Sequence, residues 1–183
     1  MLLKEFEGKI MFSVSHTTRS IRHGETNGVH YHFINQKLFK DMIEKDEFVE
    51  YAIYNNNYYG TSKSELINKK SDKCILLIET DIAGTKKLNE FNLGFDFFGI
   101  VPPSMEILKD RLINRGSEDD ISLERRLNIG LSEINEIKNC EFIKYRFVND
   151  NLDQCYKEIK DVLIKLYSNI FDNKIWKLLN YIN

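Results

Sequence analysis

The chain has 183 residues and a formal net charge of −2, from 26 basic and 28 acidic side chains. This length is typical of one globular domain with a real core and leaves room for a small inserted subdomain. The near-neutral charge argues against a protein that binds nucleic acid by bulk electrostatics, and no apolar run is long enough to cross a bilayer.

The three cysteines, Cys74, Cys140 and Cys155, have spacings that match no common metal site. Their odd count predicts reduced thiols, with Cys74 in the core as part of an apolar strand. Together with the lack of a signal-peptide pattern, this favours a cytoplasmic protein.

The first predicted elements are a short helix and a strand. Met1 to Phe6 is predicted to be helical, Gly8 interrupts the helix, and Ile10 to Val14 forms an apolar strand. A run of hydroxyl side chains begins directly afterwards at Ser15. The strand therefore leads straight into a polar turn.

A set of anion-binding side chains follows this turn. Arg19 and Arg22 lie three residues apart, and Tyr31 and Tyr59 offer further hydroxyl groups. Glu50 stands in an otherwise apolar strand, VEYAIY. Guanidinium groups bind tetrahedral oxyanions through paired donors. Each residue alone is compatible with an ordinary surface or core position, but their joint order predicts a pocket for a phosphate whose carrier has paired donors.

An amphipathic helix is predicted between the two halves of this pocket. The segment from Lys37 to Glu47 has apolar side chains at helical spacing, with charges on the opposite face. We interpret it as a structural brace for the pocket. Its predicted apolar face consists of Leu38, Phe39, Met42 and Ile43.

The rest of the chain alternates strands and helices, which indicates an α/β protein with a three-layer arrangement around a parallel sheet. The strand from Lys73 to Glu79 is expected to be buried, as is the strand from Asp96 to Val101. The other predicted elements are a helix at 64–70, a helix that begins after Ser104, a second helix that contains Arg125 and Arg126, the segment 141–148, and a helix at 152–167.

Charged residues follow these strands. Glu79 and Asp81 come at the end of a buried strand, where α/β proteins bind ligands, although solvated acids at a strand end would give the same pattern. Arg111 and Arg115 share one helical face because they are four residues apart. With Arg126 they are compatible with either a phosphate-binding lid or a helical hairpin with surface arginines.

The segments SVSHTTRSIRHGETNGVHYHF and EFVEYAIYNNNYYGT resemble the nucleotide-binding region of the guanylate kinase family, and weaker motifs extend to about Lys165. The resemblance implies that Glu50 accepts hydrogen bonds from N1–H and the 2-amino group of guanine. This agrees with its chemistry, because a carboxylate has only acceptors and adenine lacks that pair of donors. By the same resemblance Arg19, Arg22, Tyr31 and Tyr59 hold the phosphate of GMP, and Ser15 and Thr61 reach the carbonyl group of the base.

The resemblance also implies an ATP side. Glu79 would serve Mg²⁺ through water, Asp81 the nucleoside part of GMP, and Asn149 the adenine of ATP. Arg111, Arg115 and Arg126 would close over the phosphates as catalytic residues. The implied organisation is a kinase-like domain over residues 1–167 and an amphipathic extension over 168–183. Within the domain, 1–14 and 62–167 form the core, 15–61 the GMP-binding region, and about 111–130 the lid.

One element of that family has no counterpart among the 183 residues. Its members carry a phosphate loop, GxxGxGK[ST], whose backbone N–H groups and lysine bind the β- and γ-phosphates of ATP. We expect a P-loop nucleoside monophosphate kinase-like fold that lacks the first strand and this loop, with impaired phosphoryl transfer. Either the natural protein begins further upstream or this form lacks the loop.

The expected function is guanylate kinase activity, in which Mg·ATP and GMP give ADP and GDP. Two alternatives stay open: a non-catalytic module that binds GMP or a phosphorylated peptide, and a kinase for another nucleoside monophosphate. The expected partners are GMP and ATP, with no nucleic acid and no membrane, and the expected assembly is a monomer or weak dimer.

Overall fold

The computed structural model describes residues 1–54, 56–69, 73–115 and 119–171, which fall into two compact units. Of the described residues, unit 1 contains those of 1–91 and 166–171, and unit 2 contains those of 92–165. No helix in the described ranges combines the length and the apolar character that a bilayer span needs.

Eight strands and eight helices are formed by the described residues. The strands are β1 (Ile10–Phe12), β2 (His16–Thr17), β3 (His32–Phe33), β4 (Phe48–Tyr54), β5 (Asn57–Ser62), β6 (Ile75–Leu77), β7 (Phe98–Val101) and β8 (Tyr145–Val148). The helices are α1 (Leu2–Glu5), α2 (Gln36–Glu44), α3 (Lys63–Lys69), α4 (Ile82–Glu90), α5 (Met105–Asn114), α6 (Asp120–Asn139), α7 (Leu152–Leu166) and α8 (Ser168–Phe171).

Unit 1 contains a parallel pair and a four-stranded sheet. β1 pairs with β6 in parallel, and Ser13 extends this pairing by donating its backbone N–H to the carbonyl group of Leu77. The end of the described chain returns to this pair, since Ile170 is buried and Phe171 packs edge-on against Phe6. The first residues beyond 167 therefore belong to the core of unit 1, while Trp176 lies outside the described residues.

The four-stranded sheet has the order β3-β2-β5-β4, in which β2–β3 is parallel and the other two pairs are antiparallel. Helix α2 packs on it through Phe39, which has no exposed surface and stacks on Phe48 at 4.3 Å between ring centroids. The register of β4 against β5 shifts between Phe48 and Glu50, as in a β-bulge. This sheet carries Glu50, Tyr59 and Thr61 of the predicted pocket, and Ser15 and Tyr31 directly precede its strands β2 and β3.

Unit 2 is built on the parallel pair β7–β8, with Phe98 opposite Tyr145. Gly99 lies close to α6, since a Cβ atom there would be 2.5 Å from the Cγ2 atom of Ile137. The buried side chains around the pair are those of Val101, Ile143 and Phe147. The parallel strands of both units, each with its helices, confirm the predicted α/β class.

Several local predictions were wrong. Leu38 was expected on the buried face of α2 but is 45% exposed, because the face against the sheet is centred on Phe39. The strand expected to be buried over 73–79 is shorter and only half-buried, since none of Ile75–Leu77 is fully enclosed. Cys74 lies before β6 rather than inside it, and its half-buried thiol donates to the carbonyl group of Gly8. Ile100 is 50% exposed, since β7 buries alternate residues only.

Candidate functional site

The centre of the candidate site is the carboxylate of Glu50. Its residue is only 6% exposed, and its Oε1 atom accepts a hydrogen bond of 3.0 Å from the backbone N–H of Thr61. That bond follows from strand pairing, because β4 and β5 place Glu50 opposite Thr61. Burial raises the pKa of Glu50 and the negative charge of Asp81 adds to this, while the hydrogen bond from Thr61 opposes it.

Two hydroxyl groups, those of Thr61 and Ser15, lie in the same region as this carboxylate. Thr61 is fully buried, and its Oγ1 atom is 3.4 Å from the Oγ atom of Ser15. Ser15 directly precedes β2, which pairs with β5. The structure thus brings together Ser15, Glu50 and Thr61: Thr61 contacts the buried acid, and the hydroxyl group of Ser15 lies against that of Thr61.

The first turn of α4 closes one side of Glu50. Asp81 is the N-cap of this helix, and its side chain accepts a bond of 2.7 Å from the backbone N–H of Gly84. A Cβ atom at Gly84 would lie 2.9 Å from the Oε2 atom of Glu50 and would overlap the hydroxyl group of Thr80. Sequence reasoning missed Gly84, although a glycine inside a helix, where it lowers stability, is a usable signal of close approach.

Arg19 is the most constrained basic residue of the site. Its side chain is 12% exposed, and its guanidinium lies over the rings of Tyr31 and Phe33, at 5.3 and 5.5 Å from the centroids. Tyr31 in turn meets the ring of Tyr59 edge-on at 6.1 Å. The structure therefore assembles three of the four predicted phosphate-binding residues around one guanidinium.

A carboxylate that sequence reasoning missed contacts this guanidinium. Glu25 accepts bonds of 2.9 and 2.8 Å from the Nη1 and Nη2 atoms of Arg19. It also accepts a bond of 2.7 Å from the backbone N–H of Arg22, whose residue is exposed. The only sequence signal for Glu25 is an acid that follows the two arginines in the same loop.

Glu79 and Asp81 are both exposed, after the end of β6. The negative charge of Glu79 contributes to the raised pKa of Tyr31, whose main cause is burial. In the described part of the chain, no cluster of three or more His, Cys, Asp or Glu side chains could hold a metal ion alone. A single carboxylate such as Glu79 fits Mg²⁺ that keeps several waters and is held mainly by nucleotide phosphates.

The predicted residues of unit 2 lie on helices and on the turn after β8. Arg111 donates from Nη1 and Nη2 to the backbone carbonyl groups of Asn149 and Asp150, at 2.8 and 3.1 Å. Arg115 is the exposed C-cap of α5, and Arg126 lies on α6. Residues 116–118 of the predicted lid lie outside the described residues.

Comparisons with known proteins agree with one another. A family model described as guanylate kinase matches residues 1–166. The chain is 38% identical over 179 residues to a guanylate kinase of Clostridium perfringens, covering 94% of this chain and 82% of that protein. It is 40% identical over 172 residues to a guanylate kinase of Mesomycoplasma hyopneumoniae, covering 90% of this chain and 85% of that protein.

Two further similarities differ in coverage. The chain is 39% identical over 165 residues to guanylate kinase 1 of Arabidopsis thaliana, but it spans only 42% of that protein's length. The crystal structure of guanylate kinase from Anaplasma phagocytophilum matches with a TM-score of 0.69 and 28% identity, covering 91% of this chain and 80% of that one.

Proposed function

The chain belongs to the guanylate kinase family, and from that premise we propose that it transfers the γ-phosphoryl group of ATP to GMP, giving ADP and GDP. The observation that carries the proposal is the buried carboxylate of Glu50, held by the N–H of Thr61 next to the hydroxyl group of Ser15. A phosphate-binding site alone would not need a buried acid.

Base recognition rests on Glu50. Its acceptors suit N1–H and the 2-amino group of guanine, and the hydroxyl groups of Ser15 and Thr61 suit the carbonyl group of the base. A site built to pair with donors rejects a base that lacks them, because a buried acceptor without a partner costs about 1–3 kcal/mol. Because β4–β5 pairing already fixes Glu50, this residue loses little conformational entropy when it adopts its binding geometry.

Phosphate recognition rests on the loop between β2 and β3. Arg19 is held among aromatic rings, and we assign to it, with Arg22, Tyr31 and Tyr59, the phosphate of GMP. This phosphate is already anionic, so one of its oxygens attacks the γ-phosphorus while the bond to ADP breaks, without a strong general base. Positioning and charge neutralisation carry such a reaction.

The residues expected to serve ATP, and the remaining GMP contact, are assigned one by one. Arg111, Arg115 and Arg126 would neutralise the phosphates, Asn149 would lie near adenine, and Asp81 would contact the nucleoside of GMP. Mg²⁺ bound with ATP supplies further charge neutralisation, and Glu79 would contact its water shell. These roles agree with the exposure of Glu79, Asp81, Arg111 and Arg115.

The wider organisation is also proposed. Residues 15–61 form the GMP-binding region, about 111–130 the lid, and 168–183 an extension whose first turn, α8, packs in unit 1. We propose a monomer or weak dimer that uses free nucleotides. The free thiols of Cys74, Cys140 and Cys155 support a cytoplasmic location.

No GxxGxGK[ST] sequence, which would bind the phosphates of ATP, occurs among the 183 residues. The test therefore measures GMP binding and phosphoryl transfer separately. Calorimetric titration of GMP and AMP into the folded protein is expected to show selective binding of GMP. Glu50→Gln should remove about tenfold or more of that selectivity, because one acceptor becomes a donor that faces the donors of guanine. Equal affinity for both nucleotides would contradict the base assignment.

Turnover is measured as ADP release in the presence of GMP and Mg·ATP. We expect release that depends on GMP and is lower for Glu50→Gln. Glu44→Gln, an exposed acid on α2, is the matched control and should match the unmodified protein. GMP binding without ADP release would instead identify a binding module, and transfer to AMP would identify a kinase for another monophosphate.

A further inference from the structure

The carboxyl group of Glu65 contacts two separate segments of unit 1. Glu65 lies in the first turn of α3, and its Oε2 atom accepts a hydrogen bond of 3.0 Å from the backbone N–H of Val14. Its Oε1 atom lies 3.3 Å from the Nε2 atom of His32 on β3. Val14 directly precedes Ser15, and His32 directly follows Tyr31. One side chain therefore contacts the sequence neighbours of two residues of the candidate site.

The backbone around Ser15 is held on both sides. The N–H of Val14, one residue earlier, bonds to Glu65. The carbonyl group of Ser15 itself accepts a bond of 2.9 Å from the backbone N–H of His32. The next residue, His16, stacks its ring on that of His32 at 4.6 Å between centroids. Glu65 and His32 thus hold the short segment that carries Ser15.

Glu65 is also anchored to the strand that carries Thr61. Its backbone N–H donates to the Oγ atom of Ser62, the last residue of β5, at 3.3 Å. Thr61 is the preceding residue of that strand, and its hydroxyl group lies 3.4 Å from that of Ser15. The junction between β5 and α3 therefore influences both hydroxyl groups, one through the chain and the other through the Glu65 carboxyl group.

These contacts are enclosed. The side chain of Glu65 is 15% exposed, and Val14 is 6% exposed. A buried backbone N–H needs an acceptor, and this need explains the contact between Glu65 and Val14. It does not explain the second contact, in which the other oxygen of the same carboxyl group reaches His32. That second contact ties the Ser15 segment to β3.

We propose that Glu65 is a positioning residue for the base of GMP. It holds the backbone of the Ser15 segment against β3 and the end of β5, so that the hydroxyl groups of Ser15 and Thr61 stay together where they reach the carbonyl group of guanine. Side chains that are fixed before the ligand arrives lose little freedom on binding. This inference rests on the proposed function, which assigns Ser15 and Thr61 to the base.

The test measures GMP affinity by calorimetric titration for the unmodified protein, Glu65→Ala, Glu65→Asp and Glu65→Gln. Alanine removes the contacts with Val14 and His32, and we expect GMP to bind about tenfold more weakly. Aspartate is shorter by one methylene group and should lose about threefold to tenfold. Glutamine has the length of glutamate. Its oxygen can accept from Val14 while its amide group meets His32, so the affinity should stay within about threefold.

A double-mutant cycle with Ser15→Ala identifies the route of the effect. Without the Ser15 hydroxyl group, the position of this segment no longer affects the contact with the base. Glu65→Ala and Glu65→Asp should then change GMP affinity by less than about twofold. Glu44→Ala, an exposed acid on α2, is the matched control and should leave GMP affinity within about twofold in both backgrounds.

Each other result would overturn the proposal. Equal losses with and without the Ser15 hydroxyl group would identify a general structural role for Glu65. Unchanged GMP binding by Glu65→Asp would do the same, and this variant decides alone if Glu65→Ala does not fold. A loss in Glu65→Gln as large as in Glu65→Ala would assign the effect to charge instead of positioning. If the unmodified protein does not bind GMP, the proposed function itself fails.

Discussion

The predicted GMP side in unit 1 and the predicted arginines of unit 2 differ in how firmly their side chains are held. Glu50 is buried and bonded to backbone, and the Arg19 guanidinium lies over two neighbouring rings with a bidentate carboxylate on one edge. Arg111 on α5 and Arg115 at its C-cap are exposed, and Arg111 bonds to two carbonyl groups of a turn. Preorganised groups lose little freedom on binding, so selectivity is expected to come from unit 1.

The largest effect is expected from Gly84→Ala, in the rigid region. The added methyl group would meet the Oε2 atom of Glu50 at 2.9 Å and overlap the hydroxyl group of Thr80, so the carboxylate must move. Overpacking of this kind costs about 1–3 kcal/mol, and we expect GMP affinity to fall about tenfold to a hundredfold. Calorimetric titration with GMP measures this loss of affinity.

The control for this substitution is Gly130→Ala in α6 of unit 2. There the new Cβ atom would meet only the Cδ2 atom of Leu108, the mobile end of a side chain, at 2.9 Å. GMP affinity should stay within about twofold, since helices tolerate alanine better than glycine. Similar losses in both variants would mean that unit 1 is no more sensitive to packing than unit 2.

A smaller effect is expected from pH, also in unit 1. Burial and then the neighbouring His32 lower the pKa of His16 to about 4, although the charge of Glu65 opposes this. Because the pKa is lower in the folded state than in the unfolded state, this group contributes full stability above about pH 6.5. The contribution is lost as pH falls from about 6.5 towards 4, and we expect about 1 kcal/mol less stability at pH 5 than at pH 7 after allowance for partial exposure.

Urea denaturation at the two pH values measures this change. His16→Gln should remove most of the difference between pH 7 and pH 5, whereas His23→Gln, at an exposed loop position, should keep it. An equal pH dependence in all three proteins would assign the effect to other groups.

The smallest effect is expected in unit 2, from Arg111→Ala. The substitution removes two exposed hydrogen bonds to the carbonyl groups of Asn149 and Asp150, which water can replace. We expect a loss of about 0.5–1 kcal/mol in the free energy of unfolding and less than a twofold change in GMP affinity. A loss of GMP affinity as large as that of Gly84→Ala would remove the distinction between the two regions.

Much of the candidate site was predictable because strand pairing is local in character. The strand around Glu50 was predicted, with the YYGT segment closing the same region, and the pairing of β4 with β5 brings Glu50 opposite Thr61. Arg19, Tyr31 and Tyr59 were likewise predicted as neighbours, and their ring and cation contacts agree.

The other features of the site and fold depend on tertiary contacts, which local sequence patterns do not show. The sequence does not distinguish Glu25 from a solvated acid in a polar loop, because its two bonds to the Arg19 guanidinium are seen only in the structure. The clearance at Gly84 depends on Glu50, which is 34 residues away in sequence. Helical spacing predicted an apolar face for α2 but not its centre, so Leu38 was wrongly expected to be buried.

The register shift between Phe48 and Glu50 makes this strand sensitive to changes in length. Side chains of a regular strand alternate between faces, and the extra residue of a bulge reverses that alternation. Phe48 can therefore stack on Phe39 while Glu50 faces Thr61. Deletion of Val49 would remove the bulge and leave Phe48 and Glu50 on opposite faces, whereas one further residue inserted between them would turn the acid toward the aromatic stack. We therefore expect this segment to tolerate the loss of the bulge residue better than the gain of another, which would place a buried charge among aromatic rings.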